Sequence, residues 1–324
     1  MDHHHCLEPV KMQREPRVVA IGNFDGVHRG HQLLLRAVVE QAAGRGAQAT
    51  ALTFWPHPTR YFKPDAPAFE LSKPQQKARW IAQQGIQTCV SLPFDESLAR
   101  LTPEAFVEEI LVDGLHAVHV IVGEDFHFGH KRAGNAQTLR DLCAARGIGV
   151  TVFEPVERGG VISSTRIRQM VRQAQLERAQ ALLGRPFEVC GHVVHGDARG
   201  RMLGFPTANV DVGTVVMPEA GIYAATLQHT PGGDRLDACS YIGKRPTYGQ
   251  GPATFETFVL DVDPEQGLDL YGKTVSIELL QRIRPDAAFD SSEALIQQMH
   301  KDIARTREVL AQRASSPDPD LTQT

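Results

Sequence analysis

From Arg17 to about Gly184, short apolar runs alternate with amphipathic stretches. The runs RVVAIGNF, ATALTFW, TCVSLPF, HAVHVIVG and VTVFEPV read as buried strands. Between and after them, LLLRAVVEQAA, PEAFVEEILVDG, AQTLRDLCAARG and TRIRQMVRQAQ carry apolar residues at helical spacing. This β-α-β-α order predicts a parallel sheet covered by helices on both faces.

After LLGRPF the texture changes. FEVCGHVVHG, TANVDV, GIYAATLQ, DACSYIG, ATFETFVLD and TVSIELLQRI are β-rich and separated by Gly, Pro and Asp, and six such segments favour a small closed barrel. A last helix, SSEALIQQMHKDIARTREVLAQ, places Leu295, Met299 and Ile303 at spacings of four, an apolar stripe suited to pack on the barrel. The expected organisation is therefore an α/β domain over residues 17–184, a barrel domain over 185–312 and a polar tail over 313–324, read as disordered. Each domain holds its own set of motifs, so a fragment from about Arg185 onward is expected to act alone.

Composition narrows the partners. A chain of 324 residues exceeds the usual size of one core, and a net charge of -4 lacks the basic excess of many nucleic-acid binders. Small molecules are the expected partners, with no nucleic acid and no membrane, and no oligomeric state is implied. The five cysteines, Cys6, Cys89, Cys143, Cys190 and Cys239, form no C-x-x-C pair, and with no apolar stretch of spanning length the expected location is the cytoplasm. The run His3 to His5 reads as a disordered terminus or a tag remnant without function.

The sharpest chemical signal is GNFDGVHRGH, Gly22 to His31, where a strand gives way to a helix. Gly22, Gly26 and Gly30 allow close approach of backbone to ligand, and the helix start offers free N–H groups to phosphate. His28 and His31, three apart, can reach the same space and suit charge that builds on a phosphate under attack. TFWPHP, VGEDFHFG and ISSTRIR come later, each beside a strand end or helix start; His57 within the first can equally serve as a turn residue between two prolines. The hydroxyls of Ser163, Ser164 and Thr165 with the cations Arg166 and Arg168 can hold leaving phosphates, although Ser-Ser-Thr is also an ordinary helix cap.

GNFDGVHRGH, with H-x-G-H at His28 to His31, resembles the signature of the α/β, Rossmann-like nucleotidyltransferases, and its GNFDGVH form resembles the branch fused to riboflavin kinase. The resemblance implies that His28 and His31 contact the phosphates of ATP, that Gly22, Asn23, Asp25 and Gly26 line the same pocket, and that Asp125 orients the nucleotide. Phe62, Phe106 and Phe128 are candidates for walls of an isoalloxazine pocket, with core packing as the alternative for each.

In the second half, GHVVHGDARGRMLGFPTAN combines a glycine-rich turn with basic residues and lacks a Walker ending. Gly196 and Gly200 can cradle phosphate with backbone amides, and Thr207 and Asn209 offer uncharged oxygens to Mg²⁺ held with ATP. Gly200 to Asn209 is similar to the G-R-x-L-G-F-P-T-A-N segment of riboflavin kinases, which places Arg201, Gly204, Phe205 and Pro206 in the same ATP site; the blocks GIYA, IGKRPTYG, FETFVLD and LYGKTVSIELLQRIRP come after it in family order. Alternation along FETFVLD puts Thr254, Glu256 and Phe258 on one face, and the resemblance makes Glu256 the general base. The family usually has His two residues after this Glu, where Phe258 stands here, so Phe258→His is a variant expected to change kinase activity or its pH dependence.

Together these features imply a chain that phosphorylates riboflavin to FMN in its second half and adenylates FMN to FAD in its first, with ATP and Mg²⁺. The alternatives are a single-activity nucleotidyltransferase and a non-catalytic flavin sensor. Phosphate handles in both halves weigh against a protein that merely binds flavin.

Overall fold

A computed structural model describes residues 2–5, 15–196, 205–230, 232–243, 254–262 and 268–315. The chain forms two compact units: Met1–Pro67 with Pro74–Ser163, and Ala68–Lys73 with Ser164–Thr324.

The first unit is built on six strands: β1 (Asp2–His5), β2 (Arg17–Ile21), β3 (Gln48–Trp55), β4 (Thr88–Pro93), β5 (Ala117–Gly123) and β8 (Gly149–Phe153). They form one sheet in the order β1-β4-β3-β2-β5-β8. Every pairing is parallel, as the alternation of strands and helices predicts. Two apolar clusters cover the sheet. One gathers Val18, Ala20, Leu34, Leu35 and Val38 around the helix Arg29–Ala43, and the other gathers Val19, Val120, Leu111 and Leu139.

Three features depart from the sequence reading. Asp2–His5 is not a disordered terminus; it extends the sheet as an edge strand parallel to β4. PEAFVEEILVDG begins as an α-helix and continues from Phe106 to Gly114 as a π-helix, closed by Leu115 N–H donating to the Ile110 carbonyl. An i to i+5 pattern brings Phe106 and Leu111, five apart, to one buried face. The helix Pro74–Ala82 has no clean apolar stripe because Gln76 and Lys77 are buried on it beside Trp80 and Ile81. A short hairpin, β6 (His127–Phe128) with β7 (Gly134–Asn135), lies between β5 and the helix Ala136–Ala144.

The second unit contains the predicted barrel. Its strands are β9 (Phe187–Val194), β10 (Thr207–Asp211), β11 (Gly221–Gln228), β12 (Leu236–Gly243), β13 (Thr254–Val259) and β14 (Thr274–Pro285). The barrel is closed and antiparallel, in the order β10-β13-β12-β11-β14-β9. Phe187, Val189, Tyr223, Phe255, Thr257 and Ile277 are buried, and inside the wall the Ser240 and Thr257 hydroxyls pair at 2.9 Å. The helix Ser292–Ser315 packs on the outside, where Leu310 and Ile303 meet Leu260, Leu280, Phe258 and Cys239. Its end takes in Ser315, and the rest of the polar tail lies outside the described residues.

Candidate functional sites

In the first unit, strand order places the ligand end. The chain runs outward from β2 through β3 to β4, then crosses back to β5 and on to β8, so the order reverses between β2 and β5. Open α/β sheets bind ligands at such a switch point, outside the carboxyl ends of the strands. Gly22 to His31 comes directly after β2, and Val122 to Gly129 runs from the end of β5 into the residues beyond it, so the two motifs flank that crevice. A Cβ on Gly123 would lie 3.2 Å from an Asp125 carboxylate oxygen, which places Asp125 over the end of β5.

The turn after β2 is tight. Phe24 and Val27 have positive φ (47° and 37°) and Gly26 has φ 79°, and Val27 N–H donates to the Phe24 carbonyl at 3.1 Å. For a β-branched valine this is a strained backbone, which surrounding contacts must hold in place. Asp25 is buried within the turn. His28 caps the adjoining helix: its Nδ1 accepts from the His31 N–H at 3.3 Å, and the two imidazoles stack at 3.6 Å between centroids and 15° between planes. An accepting Nδ1 carries no proton, so neutral His28 holds its proton on Nε2. The Phe24 ring meets His31 edge-on at 5.3 Å.

Other predicted residues take varied places. His57 caps the helix Pro58–Phe62 through Nδ1, which accepts from Thr59 N–H at 3.1 Å, a structural task. Phe62 is 66% exposed and joins Tyr61 and Phe94 in a cluster of edge-on rings, the Phe62–Phe94 centroids lying 5.8 Å apart. Phe106 and Phe128 are both buried in the core and lie 5.3 Å from each other, so their faces are largely spent on packing. Tyr61 and Phe94 belong to no sequence motif, and only the fold brings them beside Phe62. Ser163 closes the first unit; Ser164 to Arg168 open the helix Ser164–Arg172 of the second, where the Arg168 guanidinium lies 5.3 Å over the Phe69 ring.

On the barrel, β13 alternates as predicted: Phe255, Thr257 and Val259 face inward, while Glu256 and Phe258 share the outer face. Glu256 lies opposite Asn209 on β10 and opposite Tyr241 on β12. The Thr207 hydroxyl donates to Glu256 Oε2 at 3.1 Å. A Cβ on Gly196 would overlap the Asn209 amide, so only glycine allows this close approach. Thr207, Asn209, Glu256 and Gly196 thus form one outer patch; Gly200, Arg201 and Gly204 lie outside the described residues. Phe205 packs edge-on against Phe258 at 5.6 Å and His300 at 5.3 Å, and Pro206 leads into β10.

Tyr241 was not singled out in the sequence. Its hydroxyl donates to Asp286 at 3.2 Å, and burial, Asp286 and Glu256 together push its pKa up to about 12, so it stays a proton donor across the working range. Phe258 sits among Leu260, Leu280, Leu310 and Ile303. Phe258→His would set an imidazole in that apolar cluster, so we expect a loss of about 1 to 3 kcal/mol in barrel stability, read by thermal melting, rather than a gain in activity.

The FAD synthetase family profile matches residues 10–166 and the riboflavin kinase profile matches residues 183–310. The bifunctional riboflavin kinase/FMN adenylyltransferase of Escherichia coli (strain K12) is 36% identical over 296 residues, 91% of this chain and 93% of that protein. The protein of the same description from Pseudomonas fluorescens is 36% identical over 310 residues, covering 95% and 97%. A crystal structure described as a macrolide-efflux protein from Streptococcus pneumoniae has a TM-score of 0.78 and 32% identity, covering 90% of this chain and 94% of that one. Efflux belongs to that protein's description; among the described residues here, no helix is long and apolar enough to cross a membrane.

Proposed function

Because the chain belongs to the bifunctional riboflavin kinase/FMN adenylyltransferase family, and so phosphorylates riboflavin to FMN and adenylates FMN to FAD with ATP, we propose that the two patches divide this work. Adenylyl transfer belongs to the β2 turn, and phosphorylation to the outer face of β10 and β13. The hydrogen bond from Thr207 to Glu256 is the observation that carries the second assignment.

In adenylyl transfer a phosphate oxygen of FMN attacks the α-phosphate of ATP, a new P–O bond forms, and pyrophosphate leaves. The protein's task is alignment and neutralisation of charge. His28 donates from Nε2, the nitrogen left protonated by its cap, and His31 lies stacked beside it. Gly22, Asn23, Asp25 and Gly26 shape the turn, and Asp125 orients the nucleotide. Ser163, Ser164, Thr165, Arg166 and Arg168 hold the departing phosphates. Phe62 is the aromatic wall for the flavin, supported by its exposure.

In phosphorylation, Glu256 accepts the proton of the ribityl 5′-hydroxyl as that oxygen attacks the γ-phosphate. Since Thr207 gives its own proton to Glu256, its lone pairs remain for a cation. Thr207 and Asn209 are hard, uncharged oxygen donors, which fit Mg²⁺ that keeps most of its ligands from water and ATP. When bound, the ion would neutralise charge on the transferred phosphoryl group. Gly196, Gly200, Arg201 and Gly204 cradle the phosphates, and Phe205 and Pro206 fix the entry to β10. The scattered cysteines, of which Cys89, Cys143, Cys190 and Cys239 are free thiols, support a reducing cytoplasmic setting.

The halves are proposed to work separately. A fragment from Arg185 onward retains all six barrel strands and should convert riboflavin to FMN. It would lack two pieces of its own unit: residues 164–184, whose helix Leu176–Leu183 buries Leu176, Ala179, Leu182 and Leu183, and Ala68–Lys73, whose Phe69 and Glu70 N–H groups donate to the Thr214 carbonyl at 3.1 and 3.2 Å and whose Glu70 carboxylate accepts from the Thr214 hydroxyl at 2.6 Å. We therefore expect kinase activity with stability lowered by at least about 3 kcal/mol, read by denaturant melts of the two proteins. A soluble, folded fragment without kinase activity would end the proposal of an autonomous second site.

A further inference from the structure

Lys77 is a buried lysine, 7% exposed, on the helix Pro74–Ala82. A buried ammonium is costly unless its N–H groups are satisfied, and such groups are retained mainly where their placement matters. Its Nζ donates to the Asn23 carbonyl at 2.9 Å and to the Thr53 hydroxyl at 2.9 Å. The Thr53 hydroxyl donates in turn to the same Asn23 carbonyl at 3.2 Å. Proton bookkeeping is consistent: the hydroxyl gives its one proton to Asn23 and accepts one from Lys77, while the carbonyl accepts two.

Three elements are tied at one point, namely the end of β3, the helix Pro74–Ala82 and the first residue past the Gly22 corner. That point lies next to the strained residues Phe24 and Val27 and five residues before His28. A turn holding non-glycine residues at positive φ keeps its shape only when neighbouring contacts over-determine it. The carbonyl of Asn23 is the handle by which this turn is held to the sheet.

We infer that Lys77 is a positioning residue for adenylyl transfer, clamping the Asn23 carbonyl so that the β2 turn presents His28 and His31 to the α-phosphate of ATP. The inference rests on the assignment of adenylyl transfer to this turn. It adds a requirement on a residue that does not belong to the motif. The clamp matters most when the reacting atoms must be aligned, so its loss lowers kcat more than it weakens substrate binding. Misplacement of a reacting group by about 1 Å can cost ~10²-fold in rate, which sets the expected scale.

The test uses the full chain, whose riboflavin phosphorylation reports folding in the same tube. Lys77→Met keeps an unbranched side chain of nearly the same reach and removes its charge and its hydrogen bonds. We expect kcat for FMN to FAD to fall by ~10²-fold, KM for ATP and FMN to move by less than about threefold, and riboflavin phosphorylation to stay normal. Thr53→Val removes the bridging hydroxyl alone and should show the same pattern with a smaller loss. The double variant should be no slower than Lys77→Met, because both changes break one clamp. If Lys77→Met does not fold, Thr53→Val decides by the same split between kcat and KM. A kcat within about threefold of the native value in either folded variant, or equal loss of both activities, would overturn the clamp. His31→Ala, assayed alongside, separates the two failures. If it too leaves FAD synthesis intact, the turn is not the adenylyl site. If it abolishes synthesis while Lys77→Met does not, only the clamp is lost.

Discussion

Glu256→Gln should lower the rate of FMN formation by ~10²- to 10⁴-fold, the usual value of general-base assistance, while FAD formation from supplied FMN remains normal. The amide keeps the size of the side chain and can still accept the Thr207 hydroxyl bond seen at 3.1 Å, so the local structure should persist. The loss is confined to the carboxylate that takes the ribityl hydroxyl proton. The variant thus separates chemistry from packing better than alanine would. Chromatographic rates of both steps check it. Loss of both activities would indicate misfolding, and an unchanged kinase rate would give the proton to another group or to water.

The converse selectivity is expected at the β2 turn. His31→Ala should reduce FAD formation by ~10²- to 10³-fold with riboflavin phosphorylation unchanged, the typical cost of one preorganised donor. His28→Ala should cost at least as much, since it also removes the helix cap that accepts His31 N–H. That cap is worth about 0.5 to 2 kcal/mol of stability, and a melting curve read beside the rate will show it. His28→Asn retains a capping acceptor and lacks the imidazole; a restored melting point with a rate still depressed would assign the catalytic loss to the ring itself. Near-normal FAD synthesis in both alanine variants would remove these residues from the mechanism.

Much of this architecture was legible because period and apolarity alone determine it. The central strands β2, β3, β4 and β5 are mostly apolar runs, which suit a sheet covered on both faces. The barrel showed itself through β-rich segments cut by Gly, Pro and Asp, and counting along β13 puts Glu256 on one face with Phe258, the face that burial shows to be the outer one. The Gly22 to His31 motif was visible because glycine and histidine spacing at a strand-to-helix junction carries its own chemistry.

The features that were not legible depend on contacts between distant positions. Lys77 lies 54 residues from Asn23, on a helix whose buried face mixes Gln76 and Lys77 with Trp80 and Ile81, so no apolar period marks it. Phe106 and Phe128 meet in the core at 5.3 Å, a contact set by a π-helical turn that no apolar period reveals. Phe258 looked like a missing polar neighbour of Glu256. Its surroundings include Leu280 of β14 and Leu310 of the last helix, far away in sequence, and explain why an apolar ring stands there. Glu70, early in the chain, bonds Thr214 in the barrel unit across 144 positions, a link that no reading of local texture could find.

The central claim is that this one chain carries out both phosphorylation and adenylylation of its flavin, in that order. The most direct measurement is a time course of purified full-length protein with riboflavin, ATP and Mg²⁺, with the flavins and pyrophosphate separated and quantified. The account predicts that FMN rises first and then declines as FAD and pyrophosphate appear together, with two ATP consumed for each FAD formed. Riboflavin that stays unchanged, or FMN that accumulates without FAD while ATP remains, would contradict it.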